Sequence, residues 1–190
     1  MHLVSFERDL NSLKLALLHP AWFRHLRHPA PQRLLADDRW RSGTGRIEWS
    51  LLQGDFMAMK GSAELPDVIF FDPFSFKTDA AMWGVAAFRE LATLIDGRPV
   101  ELFTYSCSTR VRAAMLAAGF YVATGRSTGP RAETTIGLSP AAAAGAHGRQ
   151  LLDRAWLDKW HRSEARVPLG SQAGDASWAE AIREHPQFRG

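Results

Sequence analysis

The stretch Asp67-Val68-Ile69-Phe70-Phe71-Asp72-Pro73-Phe74-Ser75-Phe76-Lys77 decides how this chain is read. Residues 67–71 are a mostly apolar, β-prone run with no helical period, which predicts a strand buried on both faces of a parallel sheet. Asp72-Pro73 ends the run, because proline cannot donate to a ladder and biases its predecessor away from helix. A carboxylate is thereby expected at the carboxyl edge of a central strand, where open α/β sheets bind their ligands. Asp72 is the expected centre of an active site on that ground; the competing reading is a helix N-cap following a strand.

Working outward, His2–Phe6 alternates as a strand and ends at Glu7, an acid placed either to accept from a ribose or simply to sit in a solvated loop. Leu10–Leu18 has helical apolar spacing, and Trp22–Trp40 reads as irregular, with two prolines and several Arg and His. His19, His25 and His28 have no carboxylate at ligand spacing, so they read as exposed or capping side chains and not as a metal site. Gly43-Thr44-Gly45 precedes a strand (46–52) where a phosphate loop would follow one, so it reads as a turn. Asp55 then caps a short helical piece at 57–60. Beyond the central run, a helix is expected over 80–95, capped by Thr78 or Asp79, then a strand at 100–105 and a helix at 106–118. Strands at 120–123 and, after Glu133, at 134–138 follow. This alternation predicts an α/β fold with a mainly parallel sheet. The expected organisation is a domain over 1–139, an alanine-rich linker at 140–150, and a helical tail at 151–190 packed back on the domain.

At 190 residues, 46% hydrophobic and 23% charged, the chain suits one soluble domain. The net charge of +3 and a pI near 9.4 permit an anionic partner. One Cys excludes a disulfide framework and a Cys-based zinc site. The first residues lack the features of a signal peptide and no run approaches membrane-spanning length, so a cytoplasmic location is the default expectation, with no membrane partner.

Several pieces together resemble a known family: Leu3-Val-Ser-Phe-Glu7, Gly54-Asp55, Asp67–Phe74, Lys77, Met82-Trp83, Leu102-Phe-Thr-Tyr-Ser106, Arg110, Ala117-Ala-Gly-Phe120 and the segment 129–133. A tail signature at Trp160–Ser163 and His185–Phe188 joins them. In this order and spacing the chain resembles the methyltransferase domain of bacterial wobble-uridine modification enzymes. These are the tRNA 5-methylaminomethyl-2-thiouridine-forming methyltransferases of the MnmC/MnmD group. The resemblance implies a Rossmann-like class I fold with a final antiparallel strand, S-adenosyl-L-methionine as cofactor, and tRNA, at its anticodon region, as partner. It implies that Glu7 binds ribose, that Asp55 binds the adenine amino group with Phe56 beside it, and that Asp72 is catalytic. On the substrate side it implies Pro73 and Phe74 orienting the amine. Phe74 and Phe76 are placed either to stack on a flipped base or, for at least one of them, to pack in the core, and Lys77, Arg126 and Arg131 flank the same edge, either meeting tRNA phosphates or simply solvated. Glu133 matches a family position on that side. No metal is implied, and an oxidase domain or partner supplied separately is compatible, since some relatives carry one.

Two departures from the family pattern matter. Pro73 stands where the family usually has glycine, which brings the corner nearer the Asp-Pro-Pro-aromatic corner of amino methyltransferases. The family's first strand and its Gly-rich loop do not precede the strand at His2–Phe6. The expectations are a late start codon, a fragment, or a sheet that closes directly between the family's second and fourth strands. An empty slot in mid-sheet would leave buried backbone orphans at roughly 1–3 kcal/mol each.

The implied reaction is attack of an aminomethyl nitrogen on the cofactor methyl. An ammonium has no lone pair, so a proton leaves before or during displacement, and Asp72 is the group to hold or accept it. Two other readings compete. Cys107, within Thr104–Thr109, resembles the nucleophile loop of RNA cytosine-5 methyltransferases, but the second Cys expected after the Asp-Pro corner is replaced by Phe74-Ser75. A catalytically incomplete module that binds RNA or a partner is the other. A dehydrogenase is disfavoured by the missing dinucleotide glycine fingerprint.

Overall fold

The computed structural model describes residues 1–127, 133–145, 148–172 and 174–189. The chain divides into two compact units, Met1–Glu64 and Leu65–Gly190.

In the first unit, β1 (His2–Glu7) pairs in parallel with β3 (Glu48–Gln53), and β2 (Arg39–Arg41) adds to the far side of β3 in the antiparallel sense. The sheet order is β1-β3-β2. Leu10, Leu34 and Leu51 form its buried core, with Leu13, Leu35, Trp40 and Trp49 packed around them. They come from the sheet, from α1 (Asn11–Leu17) with its cap residue Leu10, and from α2 (Pro29–Asp37). The region expected to be irregular, 22–40, is thus mostly ordered: a 3-10 turn at Arg24–Arg27, then α2, then β2. Its prolines do not break α2, because Pro29 and Pro31 lie in the first turn, where a backbone N–H has no helical partner to lose. His28 caps that helix, its Nδ1 accepting from the Ala30 N–H at 3.2 Å. Asp38 ends it in the left-handed region at φ 54°. Gly43-Thr44-Gly45 forms the expected turn, closed by the Gly45 N–H on the Ser42 carbonyl at 2.8 Å.

In the second unit the order is β4-β5-β7-β6, from β4 (Val68–Phe70), β5 (Glu101–Thr104), β6 (Tyr121–Gly125) and β7 (Thr134–Leu138). β4 and β5 are parallel, and β7 opposes both β5 and β6. The strands thus form two sheets, one within each unit, in the α/β arrangement expected. The expected central strand is corrected: β4 is three residues long and lies at the edge of its unit's sheet. The Phe71 N–H donates to the Phe103 carbonyl at 2.8 Å, and the Glu101 N–H donates to the Asp67 carbonyl at 3.4 Å. Alternate residues from Asp67 to Phe71 thus turn their backbone to β5, while Val68 and Phe70 turn theirs to the open side. Their side chains are 48% and 78% exposed, and only Phe71, at 4%, enters the core.

One face of this sheet is covered by α4 (Val85–Leu94) and α5 (Thr109–Ala117). They bury Phe88, Leu91, Val111 and Met115 in one core with Leu102, Val122 and Phe120. At Gly137 of β7 a Cβ would overlap the Met115 methyl, so a larger residue there would displace that side chain. On the other face Ala123, Ile136 and Leu138 pack with Phe103, Tyr121, Leu151 and α6 (Pro140–Ala144), a short helix in the alanine-rich run. α7 (Arg154–Arg162) and α8 (Ser177–Arg183) follow, with α8 against α5.

The tail also closes the β6 edge. Gln150–Leu152 runs beside it, the Leu152 N–H donating to the Val122 carbonyl and the Thr124 N–H to the Gln150 carbonyl, both at 2.9 Å. The Gln187 amide completes the pairing. Its Oε1 accepts from the Val122 N–H at 2.7 Å, and its Nε2 donates to the Val122 carbonyl at 2.9 Å and the Leu152 carbonyl at 2.8 Å. His185 orients this clamp by accepting from the Gln187 N–H on Nδ1 at 3.2 Å, with its ring edge-on to Tyr121. Burial of that imidazole pushes its pKa from 6.5 down to about 4, against an opposing hydrogen bond to the Gly119 backbone.

The unfolded chain therefore takes up a proton at His185 before the folded one does. The stabilisation is complete above about pH 6.5 and is lost as pH falls towards 4, an effect on the order of 2–4 kcal/mol. We expect the gap in melting temperature between the native chain and His185→Gln to narrow steadily from pH 7 to pH 4.5. A gap independent of pH would show that the ring's burial does not disfavour its charge.

Candidate active site

Sequence alone places Asp72 at the carboxyl end of β4, and the structure adds what holds it there. Phe71 is anchored in the core, edge-on to Trp83 at 5.3 Å and tilted against Phe88 at 5.3 Å. Trp83 is fully buried, so its indole N–H needs an acceptor. It donates to the Phe74 carbonyl at 2.7 Å. Tyr105, just past β5 and edge-on to Trp83 at 5.5 Å, donates its hydroxyl to the Pro73 carbonyl at 3.4 Å. Two consecutive carbonyls of the corner are thereby gripped from a buried aromatic layer. Above that layer Asp72 is exposed and, among the described residues, makes no hydrogen bond or ion pair. Phe74 beside it is 67% exposed. Pro73 and Phe76 are half-buried, and Lys77 is exposed on the same turn.

Asp72 does not cap a helix. The expected helix start at Ala80, capped by Thr78 or Asp79, is corrected to Val85, with Gly84 as the cap residue. Residues 74–83 are instead spent in turns that bring Trp83 under the corner, closed by the Trp83 N–H on the Ala80 carbonyl at 3.2 Å. The Val85 N–H is satisfied by the Leu169 carbonyl at 3.3 Å, which also crowds Gly84.

On the same edge of this sheet a cavity of about 310 Å³ is lined by Cys107, Thr109, Arg112, Glu133 and Trp156, among others. Arg112 is a buried guanidinium held on three sides: Nε to Thr135 Oγ1 at 2.9 Å, Nη2 to the Thr134 carbonyl at 3.1 Å, and Nη1 to Glu133 at 3.1 Å. In this geometry Glu133 is the counter-ion of a buried cation, and losing it would leave that charge uncompensated. Arg126 is exposed. Arg131 lies outside the described residues. Cys107 is an exposed free thiol.

In the first unit the parallel register pairs Glu7 with Gln53. The strand end then carries Gly54, whose N–H donates to the Glu7 carbonyl at 3.0 Å, and Asp55. Two carboxylates therefore share one sheet edge. Glu7 Oε1 accepts from the Asp9 N–H at 3.1 Å, and Asp55 Oδ1 accepts from the Ala58 N–H at 3.2 Å, capping α3 (Phe56–Met59). Asp55 Oδ2 faces Arg8 at 4.0 Å, and Phe56 stands edge-on to Phe6 at 5.0 Å. Glu7 Oε2 has no partner among the described residues and Asp55 Oδ2 has only the long Arg8 contact, so the pair presents acceptors that fit the hydroxyls of a ribose and the amino group of a purine. Among the described residues no cluster of His, Cys, Asp and Glu could hold a metal ion, and no helix is long and apolar enough to cross a membrane.

Trp83, Tyr105 and Arg112 are the supports whose roles were not read from the sequence. The available signal was chemical: a Trp and an Arg within otherwise apolar segments must find acceptors if they are buried.

Among curated proteins nothing matches the chain. The crystal structure of MNMC2 from Aquifex aeolicus has the same fold, with a TM-score of 0.61 and 20% identity over 96% of this chain and 56% of that one. The chain thus spans little more than half the length of that structure. Residues 20–140 match the family model described as S-adenosyl-L-methionine-dependent methyltransferase. With more than half its residues in that match, the chain belongs to the S-adenosyl-L-methionine-dependent methyltransferases.

Proposed function

We propose that this chain methylates the aminomethyl nitrogen on a wobble uridine of tRNA, with Asp72 holding the amine through one of its N–H protons. The observation that carries this reading is the corner itself: an exposed carboxylate without a hydrogen bond or ion pair among the described residues, on a backbone fixed by Trp83 and Tyr105. An ammonium or amine is the natural partner of such a group. Asp72 Oδ accepts an N–H of the substrate, which directs the nitrogen lone pair away from the carboxylate. The Pro73 and Phe74 carbonyls face the buried layer, so what the corner offers the amine is a carboxylate and the exposed Phe74 ring. That ring is placed to stack on a displaced base. In the first unit, Glu7 and Asp55 are the residues that would hold the ribose hydroxyls and the adenine amino group of S-adenosyl-L-methionine, with Phe56 packed beside them. The cofactor, when bound, supplies a methyl group on a sulfonium. Lys77, Arg126 and Arg131 are assigned to tRNA phosphates, and Glu133 acts on the substrate side by keeping Arg112 in place.

Transfer of labelled methyl groups to tRNA bearing 5-aminomethyl-2-thiouridine tests this. Asp72→Asn should lower turnover by about 100-fold or more, with cofactor affinity by calorimetry changed only a few fold. Undiminished turnover in that variant removes Asp72 from the reaction, and failure of the native chain to bind the cofactor favours the binding-module reading instead.

The indole hydrogen bond is testable separately. Trp83→Phe keeps an aromatic ring against Phe71 but leaves the Phe74 carbonyl without its donor, at about 1–3 kcal/mol. Turnover should fall with cofactor affinity and tRNA affinity unchanged. Unaltered turnover would show that the corner is rigid without that bond.

A further inference from the structure

Between Asp9 and Asp37 the chain has no acidic residue, yet it carries Lys14, Arg24, Arg27 and Arg33 with His19, His25 and His28. The middle of this stretch, Leu18–Pro29, is exposed throughout except for half-buried Leu26. It is nonetheless an ordered turn. The Trp22 N–H donates to the His19 carbonyl at 3.0 Å, the Leu26 N–H to the Phe23 carbonyl at 2.9 Å, and Arg27 Nε to the Pro20 carbonyl at 3.0 Å. Trp22 is 78% exposed and lies flat against the His19 ring, 5.1 Å between centroids and 17° between planes. One indole face is therefore backed by imidazole, and the rest of the ring meets solvent. Arg33 is neutralised by Asp37 at 3.2 Å, whereas Arg24 and Arg27 make no ion pair among the described residues, and the Arg27 contact is to a neutral carbonyl.

We propose that this turn docks a single-stranded segment of RNA, with a base stacked on Trp22 and backbone phosphates on Arg24 and Arg27. The choice of RNA rests on the substrate proposed above; the physical argument is charge and shape. A segment free of acids attracts a polyanion. A flat exposed indole fixed by a ring behind it has little rotamer freedom left to lose, and every base has a π-face to offer it. Sequence reading set the three histidines aside as exposed or capping side chains. His28 is such a cap, while His19 supports the stacking ring.

Fluorescence anisotropy of the full chain with a labelled anticodon stem-loop RNA tests the proposal, in a salt series and without cofactor, so that no turnover is needed. Trp22→Ala should weaken binding about tenfold or more, and Trp22→Phe should recover part of the loss. The double variant Arg24→Ala, Arg27→Ala should reduce the slope of log affinity against log salt by about 1.4, some 0.7 for each phosphate contact in a single strand. All three positions are exposed, and unchanged melting temperatures would confirm intact folding. Native-like affinity and salt slope in these variants overturn the proposal. Sedimentation as a dimer that Trp22→Ala dissociates, with RNA affinity unchanged, also overturns it by assigning the turn to a protein interface. RNA binding that depends on this turn in a chain that transfers no methyl group would sustain the docking surface while removing the reaction proposed above.

Discussion

The hydrogen bond from the Trp83 indole to the Phe74 carbonyl is the constraint on which the candidate site depends. An indole cannot be buried completely unless its N–H finds an acceptor, and the acceptor chosen is the backbone of the segment that carries the acid. The same ring packs against Phe71 below and Tyr105 beside it, and Tyr105 holds the next carbonyl back along the chain. The peptide groups on both sides of Phe74 are fixed from underneath, so the turn is held although no bond to the described residues restrains the Asp72 carboxylate. A group that must meet an outside nitrogen is best left without a partner of its own, with the rigidity supplied by the backbone.

The two edges of the second unit's sheet are treated in opposite ways. At β6 the tail supplies backbone pairing through Gln150–Leu152, and the Gln187 amide satisfies both backbone groups of Val122. A side chain carrying both a carbonyl and an N–H can do this at one residue. At β4 the backbone of Val68 and Phe70 faces outward, and the Phe70 ring is stacked on Phe103 yet largely open to solvent. An apolar strand edge of that kind is usually shortened or covered. Here it is short, three residues, and the chain leaves it at once through Asp72-Pro73.

That contrast marks where sequence reading succeeds and where it stops. The final strand at 134–138 and the strands at β1, β5 and β6 were legible to within a residue or two, because alternation and flanking glycines are local signals. The run Asp67–Phe71 was legible as a strand but not as an edge, since its composition is the same whether or not a neighbour lies on its second side. α2 was hidden because Pro29 and Pro31 look like breakers until they are seen to occupy a first turn capped by His28. At the site, the carboxylates at strand ends were legible because an acid that stops an apolar run stands out. The roles of Trp83, Tyr105 and Arg112 were not, because each bonds a partner 9 to 32 residues away and only the fold reveals the pairing.

On the proposed reading, the chemistry asks for a carboxylate that binds well and a base that need not be strong. A primary amine with a pKa near 10 lies about 6 pK units above an ordinary carboxylate, so complete transfer from the ammonium to Asp72 would cost roughly 8 kcal/mol. Reaching the neutral amine from solution at pH 7 costs only about 4 kcal/mol. The lower-cost route is therefore for the amine to arrive neutral, for Asp72 to accept one of its N–H groups and fix the lone pair, and for the carboxylate to become a strong partner only as positive charge develops on nitrogen. Stabilisation that grows along the reaction coordinate raises turnover without tightening substrate binding. An acid already paired to a neighbouring cation would have spent that interaction in the ground state. This is the physical reason to expect a catalytic carboxylate to lack a cationic partner, and Asp72 has none among the described residues.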